Sequence, residues 1–254
     1  MNLLDRRRPE FPPLERALED PNGLLAVGGE LTAEWLVSAY RHGIFPWFDD
    51  DDGPILWWSP DPRTVIYPDQ LKVSRSLAKR LRNGGFEVTY DEAFPQIIAA
   101  CSEPRSGVDG RESGTWITPK MTTAYCHLHD LGLAHSVEVW LTDASDQKRL
   151  AGGLYGVSLG RMFFGESMFA RERDASKVAL YHLCQRAIAW SFKLIDCQVG
   201  NPHLERMGAV AIPRQTFARL LEENAHQATR RGPWTTSQTP TAEVDTDTPL
   251  AKMV

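Results

Sequence analysis

No stretch of the 254-residue chain approaches the roughly 18 consecutive apolar residues that a membrane-spanning helix needs. No apolar run follows the basic cluster of residues 6–8 either, so we expect neither a secretory signal nor a membrane location. The four cysteines are far apart, and no C-x-x-C pair occurs. That spacing argues against a disulfide scaffold and a structural zinc site, and it favours a location in the reducing cytoplasm.

Two catalytic signatures are also missing. The sequence has neither the G-x-x-x-x-G-K-[ST] loop that holds nucleotide phosphates nor the G-x-S-x-G turn of serine esterases, so neither chemistry has support. His127 and His129 would point to different faces of a helix, and His135 falls in the next strand, so we expect no metal site. Because the net charge is −5, any polyanion would have to bind a local basic patch.

Residues 1–62 combine one predicted helix with many Pro, Gly and Trp residues. The segment 31–40 has the pattern of a helix, with Thr32 as its N-cap and Gly43 just beyond its end. The flanking segments, such as residues 55–60, have the composition of loops. We therefore predict a small N-terminal domain with little regular structure that ends near Pro62.

Residues 63–226 alternate predicted helices with predicted strands, which indicates a second domain of the α/β or the α+β class. Of the two, we predict α+β. We predict helices over 74–82 with Ser74 as the cap, 91–101, 118–132, 176–190 with Ser176 as the cap, and 213–225, and strands over 135–141, 150–158, 161–169 and 193–199. Residues 227–254 are rich in Thr and Pro and have no apolar periodicity, so we predict a disordered tail.

Three polar residues interrupt otherwise apolar strands. Side chains alternate along a strand, so Asp196 and Gln198 are expected on one face, with Asn201 just beyond the strand. The pair is either a buried structural hydrogen bond or an acid/base site, because an unpartnered buried carboxylate costs several kcal/mol. Glu166, between aromatic and Met residues and beside Gly165, is either half of a buried ion pair or part of a site.

Four tryptophans lie in Gly- and Pro-rich segments rather than in periodic elements: Trp47, Trp57, Trp58 and Trp116. Such residues either fill the core of a poorly structured domain or stack on nucleobases, where each contact contributes about 1–3 kcal/mol.

A basic stripe recurs at helical spacing along the predicted helix that Ser74 caps, and it consists of Lys72, Arg75, Lys79 and Arg82. The apolar face of the same helix is predicted to contain Val73, Leu77 and Leu81. The stripe is either a solvated surface or the place where an otherwise acidic protein holds phosphates.

Six motifs, in this order along the chain, resemble those of the leucyl/phenylalanyl-tRNA–protein transferases. They are PNGLLAVGG (21–29), GIFPWF (43–48), ILWWSPDPR (55–63), GTWIT (114–118), GESMF (165–169) and LIDCQV (194–199). The resemblance extends from about residue 11 to residue 225.

The resemblance implies a transfer of leucine or phenylalanine from leucyl-tRNA or phenylalanyl-tRNA to the N-terminal Arg or Lys of a protein, which is then marked for degradation. It also implies that residues 63–226 form a GNAT-like acyltransferase domain. The donor is already an activated ester, so no ATP, metal or other cofactor is expected. The accepting α-amine has a pKa of roughly 8, so a modest base can free its lone pair.

Catalytic roles follow from the same resemblance. Asp196 would accept or orient the amine proton, Gln198 would link it to the amine, and Asn201 would lie nearby. Glu166 would help to place the ester end or the acceptor.

The resemblance implies a donor site as well. Trp47 and Trp116 would embrace the terminal adenosine of the tRNA, with Tyr40 and Tyr125 beside them. The pocket for the leucyl or phenylalanyl side chain would consist of Leu154, Met168, Leu180, Leu183 and Ile195.

The competing hypothesis is a GNAT-type small-molecule N-acyltransferase that uses acyl-CoA. Such enzymes hold the pyrophosphate with a glycine-rich loop ahead of a helix. The corresponding segment, residues 171–175, contains no glycine, which speaks against coenzyme A. A third hypothesis, a non-catalytic tRNA-binding module, leaves Glu166, Asp196 and Gln198 without a purpose.

Overall fold

The computed structural model describes residues 2–106, 112–113, 116–143 and 145–235. Its helices are α1 (Ala33–Arg41), α2 (Arg75–Asn83), α3 (Phe94–Ser102), α4 (Pro119–Asp130), α5 (Ala175–Ala189), α6 (Pro202–Arg206) and α7 (Arg214–Asn224). Its strands are β1 (Asn2–Leu4), β2 (Leu24–Gly28), β3 (Phe45–Pro46), β4 (Leu56–Trp58), β5 (Arg63–Ile66), β6 (Phe86–Tyr90), β7 (Arg105–Ser106), β8 (Glu112–Ser113), β9 (Ala134–Thr142), β10 (Lys148–Leu159), β11 (Met162–Ala170), β12 (Leu194–Gln198) and β13 (Val210–Ile212). The mixed α+β class is confirmed.

The N-terminal region contains more regular structure than its composition predicts. Strands β1, β2, β4 and β3 form a four-stranded sheet in that order. Trp57 lies in β4, is fully buried, and donates its indole N–H to the Gly28 carbonyl at 2.7 Å. The prediction that Trp57 and Trp58 occupy a loop is therefore wrong, because strand pairing with β2 satisfies the backbone of this short segment.

A seven-stranded sheet forms the rest of the molecule, with the strand order β13-β5-β12-β11-β10-β9-β6. Strands β9, β10 and β11 are antiparallel neighbours, whereas β11 and β12 run parallel. Strands β5 and β6 were not predicted. Both are short, with four and five residues, and each is completed by pairing with strands distant in sequence.

The larger buried cluster extends across residue 62. It contains Trp35 and Trp57 from the N-terminal region together with Phe94, Tyr125 and Phe217 from the region beyond it. The two regions therefore share one apolar core. Burial of this surface is the main contribution that holds them together.

Most predicted helix starts are confirmed. Thr32, Ser74 and Thr118 each accept a hydrogen bond from the backbone N–H three residues later. Ser176 is not a cap, because α5 begins at Ala175 and its N-cap is Asp174, which has a φ of 65°.

The tail boundary predicted at residue 227 is too early. Trp234 is 1% exposed, and its ring stacks on His135 at a centroid distance of 3.9 Å. Residues 227–235 thus pack against the large sheet, while residues 236–254 of the predicted tail lie outside the described residues.

Among the described helices, none combines the length and the apolar character that crossing a membrane requires.

Candidate active site

A cleft of about 950 Å³ opens where β11 and β12 diverge. The two strands pair for only three residues, Met162–Phe164 with Leu194–Asp196, and the residues just beyond line the cleft. Ten of the predicted site residues lie in its wall: Trp47, Trp116, Leu154, Glu166, Met168, Leu180, Leu183, Ile195, Gln198 and Asn201.

Glu166 is the buried carboxyl group of this cleft, with 8% of its surface exposed. Burial raises its pKa to about 7, and the nearby charge of Asp196 adds to the rise. The nearby Tyr40 and Tyr125 hydroxyls oppose the rise. A carboxyl group with this pKa can accept or donate a proton near neutral pH.

Two buried tyrosines lie behind Glu166. The Tyr125 hydroxyl donates to Glu166 Oε2 at 2.8 Å and shares a further hydrogen bond with the Tyr40 hydroxyl. Burial and then the Glu166 charge raise the pKa of both phenols well above their usual value, so both remain protonated donors. Neither ring has exposed surface or reaches the cleft wall, which corrects the expectation that they flank an adenosine.

Gln198 contacts Glu166 from the other side. Its Nε2 donates to Glu166 Oε1 at 2.9 Å, and its backbone N–H donates to Asp196 Oδ1 at 2.9 Å. The residue has a φ of 60°, at a point where the register between β12 and β5 shifts. The expectation that Asp196 and Gln198 share a face is therefore wrong, because this irregularity breaks the alternation of side chains.

Asp196 is fully buried and forms an ion pair with Arg63, a residue that sequence reasoning did not single out. Arg63 Nε and Nη2 donate to the two carboxylate oxygens at 2.8 and 2.7 Å. The guanidinium also lies over the rings of Phe45 and Phe217, at 4.9 and 4.7 Å from their centroids. An arginine in the apolar sequence of β5 was the available signal, because a buried cation needs a buried anion.

The apolar part of the cleft draws on four elements. Leu154 comes from β10, Met168 from β11, Leu180 and Leu183 from α5, and Ile195 from β12. Ile195 faces the cleft while its neighbour Asp196 faces Arg63, as alternation along the strand requires.

Trp47 and Trp116 also line the cleft. Trp47 is 46% exposed, and its carbonyl accepts the indole N–H of Trp58 at 2.7 Å. Its ring meets that of Trp58 at a centroid distance of 5.5 Å and an angle of 62°. Trp47 is therefore held in place from one side and open on the other.

Asn201 and Tyr155 also line the cleft. The side-chain oxygen of Asn201 accepts the N–H groups of His203 and Leu204, so this residue caps α6. The buried Tyr155 hydroxyl has no hydrogen-bond partner among the described residues. Burial, followed by the Glu166 charge, raises the pKa of Tyr155. Tyr155 was not identified from the sequence, because it lies among apolar residues of β10 and carries no motif of its own.

The basic stripe lies outside the cleft wall. Lys72, Arg75, Lys79 and Arg82 are all exposed. Lys72 and Val73 precede α2, so they are not part of the helix as predicted, and Val73 is 38% exposed rather than part of the apolar face.

Comparisons with known proteins agree on one family. The family profile described as Leucyl/phenylalanyl-tRNA protein transferase matches residues 65–222, and the profile of its N-terminal domain matches residues 29–61. The leucyl/phenylalanyl-tRNA--protein transferase of Pseudomonas syringae pv. syringae is 55% identical over 229 residues, which are 90% of this chain and 96% of the relative. The protein of the same name from Thiobacillus denitrificans is 56% identical over 225 residues, 89% of this chain and 94% of the relative.

Among solved structures, L-PGS from Bacillus licheniformis superposes with a TM-score of 0.37 and 10% identity, over 70% of this chain and 54% of that chain. That likeness is too low to establish a shared fold. The family profiles and the relatives, by contrast, cover most of the sequence at high identity, and the chain belongs to the leucyl/phenylalanyl-tRNA protein transferase family.

Proposed function

We propose that this protein transfers a leucyl or phenylalanyl residue from aminoacyl-tRNA to the N-terminal Arg or Lys of an acceptor protein and thereby creates a degradation signal. The acceptor amine attacks the ester carbonyl carbon. An amide C–N bond forms, the ester C–O bond to the ribose breaks, the amine loses a proton and the ribose hydroxyl gains one. The observation that carries the proposal is a cleft that joins a carboxyl group of pKa about 7 to an apolar pocket and two tryptophans.

We assign the proton acceptor to Glu166 rather than to Asp196. Glu166 lines the cleft and titrates near neutral pH, whereas both oxygens of Asp196 are engaged by Arg63 in a fully buried ion pair. Gln198 and Tyr125 hold the two oxygens of Glu166 from opposite sides. In this assignment Asp196 is a positioning residue, which fixes the Gln198 backbone through its hydrogen bond at 2.9 Å.

The donor occupies the rest of the cleft. Trp47 and Trp116 stack on the terminal adenosine, and the apolar pocket takes the leucyl or phenylalanyl side chain. Met168 adapts to both shapes because its side chain is unbranched and flexible. Tyr40 and Tyr125 act on the donor only through Glu166.

A cationic acceptor side chain needs a carboxylate at the cleft. Among the described wall residues, the acids are Glu103 and Glu166, and Glu166 is already engaged. Glu103 is 57% exposed and pairs with Arg171 at 2.5 Å, a surface pair that exchanges readily for another cation. We therefore assign recognition of the N-terminal Arg or Lys to Glu103.

The acceptor stem of the tRNA lies on the basic stripe in this proposal. The Lys72 backbone N–H donates to the Met207 carbonyl at 2.9 Å, and Met207 directly follows α6, whose His203 and Leu204 line the cleft. Phosphates held by the stripe would thus continue toward the bound adenosine.

We also propose that residues 63–226 form a GNAT-like acyltransferase domain, onto whose apolar core the small N-terminal domain of residues 1–62 packs. Support comes from three antiparallel strands followed by a parallel neighbour that diverges at the cleft. Because aminoacyl-tRNA is a cytoplasmic substrate, we propose a cytoplasmic location.

Radiolabelled leucyl-tRNA incubated with short peptides tests the function. We expect label on a peptide that begins with Arg or Lys and none on peptides that begin with Asp or Ala. Label on all of these peptides would contradict the acceptor assignment. Label on none, with a hydrolysed or intact donor, would contradict the transferase proposal.

A further inference from the structure

His203 carries a polar atom without a partner at the edge of the cleft. Its Nε2 is buried and has no hydrogen-bond partner among the described residues, although the residue lines the cleft. Burial lowers the pKa of His203, and the charges of Lys177 and Arg206 lower it further, so the imidazole is neutral at pH 7. A buried polar atom left unpaired is unfavourable, and a ligand atom that paired with it would remove that cost.

Two cations stand close to this imidazole. Lys177 lies in the first turn of α5 and donates to Asp174 Oδ1 at 2.6 Å. An ammonium group has three N–H donors, so Lys177 keeps donors for a second anion. Arg206, the last residue of α6, is exposed and forms no ion pair with any other described residue.

Helix α6, which carries His203 and Arg206, connects the cleft with the start of the basic stripe, and the charge of Lys177 also acts on His203. Leu204, next to His203, lines the cleft, and Met207, next to Arg206, accepts the backbone N–H of Lys72. If the terminal adenosine of the tRNA binds in the cleft and its stem binds the basic stripe, the phosphates between them must pass along α6.

We propose that Lys177, His203 and Arg206 form a phosphate-binding rim that holds the phosphodiester groups of the unpaired terminal nucleotides of the donor tRNA. The inference rests on the proposed function and adds to it a site between the proposed adenosine site and the proposed stem site. The ammonium and guanidinium groups neutralise phosphate oxygens, and His203 Nε2 donates to a phosphate oxygen or a ribose hydroxyl.

Donors of increasing length test the rim. Leucyl-adenosine has no phosphodiester, a leucyl-CCA trinucleotide has those of the terminal nucleotides, and leucyl-tRNA adds the stem. For Lys177→Ala, Arg206→Ala and His203→Gln, we expect the ratio of kcat/KM for leucyl-CCA to that for leucyl-adenosine to fall about 3- to 10-fold. The salt dependence of kcat/KM for leucyl-CCA should weaken by about 0.7 in log–log slope for each cation removed.

Arg219→Ala is the matched control, because Arg219 is an exposed arginine on α7 that does not line the cleft. The ratio and the slope should stay at wild-type values in this variant. An unchanged ratio in both Lys177→Ala and Arg206→Ala would overturn the rim.

Binding of an unacylated CCA trinucleotide, followed by fluorescence anisotropy at low salt, separates the rim from the reaction. Weaker binding to Arg206→Ala than to Arg219→Ala supports the rim even if the wild type transfers no leucine, in which case only the proposed function fails. Equal binding to the two variants overturns the rim even if transfer is normal.

Discussion

The carboxyl group of Glu166 is buried at the floor of the cleft and accepts hydrogen bonds from Tyr125 and Gln198. Its pKa of about 7 means that the ionised form, which can accept a proton, becomes the major form only above neutral pH. If Glu166 accepts the proton as proposed, the pH dependence of transfer should follow the ionisation of this one residue.

We expect kcat/KM to rise with pH through about 7 as Glu166 ionises. A second rise near roughly 8 belongs to the acceptor amine. In Glu166→Gln the rise near pH 7, which is the lower limb of the pH profile, should vanish. The rate should fall by about 10²- to 10⁴-fold. In Tyr125→Phe the lower limb should move to higher pH, because the Tyr125 hydrogen bond lowers the pKa of Glu166. A lower limb that persists in Glu166→Gln would assign it to another group.

The Arg63–Asp196 pair gives a second prediction. Asp196→Ala should lower the free energy of unfolding by roughly 3–5 kcal/mol, because a buried guanidinium would lose its counter-charge. Arg63→Met combined with Asp196→Leu should recover part of that loss, as measured by urea unfolding. If Asp196→Ala kept the stability of the wild type but lost transfer activity, Asp196 would instead take part in the reaction.

Acceptor recognition gives a third prediction. Glu103→Gln should raise the KM of an Arg-initiated peptide about two- to fivefold, the effect of losing an exposed ion pair of roughly 0.5–1 kcal/mol. The matched control is Glu172→Gln, which also breaks a surface pair, with Arg149 at 2.6 Å, but does not line the cleft. Equal KM values for the two variants would remove Glu103 from acceptor recognition.

At the scale of elements, the divergence of β11 and β12 creates the site. A Cβ at Gly165 would lie 3.3 Å from the Asp196 carbonyl oxygen, so glycine lets the strands stay close just where their pairing ends. Glu166 follows immediately on one strand and Gln198 lies just beyond Asp196 on the other. Their side chains can therefore meet across the gap.

Helix α2 carries the fourth prediction. Arg75→Ala with Lys79→Ala should raise the KM for leucyl-tRNA and weaken its salt dependence by roughly one unit of log–log slope per contact, because phosphate contacts release counterions. The effect should be much smaller with leucyl-adenosine. Lys148→Ala with Arg149→Ala removes the same number of charges from β10 and serves as the control. Wild-type salt dependence in the α2 variant would make the stripe a solvated surface.

At the scale of the whole molecule, the chain after α7 returns to the large sheet. The Trp234 backbone N–H donates to Asp91 Oδ2 at 2.6 Å, and the Trp234 ring packs on His135, Trp190 and Phe192. The segment 227–235 thus closes one end of the C-terminal core.

Trp234→Ala should therefore lower the free energy of unfolding by roughly 3–5 kcal/mol, since a fully buried aromatic side chain leaves a cavity. Trp47→Ala is the contrasting variant. It should cost little stability because Trp47 is 46% exposed, but it should weaken donor binding by about 1–3 kcal/mol of lost stacking. Urea unfolding measures the stability of both variants, and the KM for leucyl-adenosine measures donor binding by Trp47→Ala. Equal losses of stability would contradict the packing of Trp234.

The sequence by itself determined the family, the α+β class and most long elements. Local signals were sufficient for these features: caps such as Thr32 and Thr118 fix helix starts, and long apolar strands such as β9, β10 and β11 have clear periodicity. The resemblance to the family was sufficient to nominate ten of the residues that line the cleft, six of them within the quoted motifs.

Only the tertiary structure decided the partners of the polar residues and the path of the short segments. Arg63 and Asp196 are 133 residues apart, and nothing local predicts that they pair. The break in alternation that separates Asp196 from Gln198 depends on the register with β5. The burial of Trp234 depends on rings from other elements, because a single aromatic residue in a polar segment gains stability only from the surface it meets.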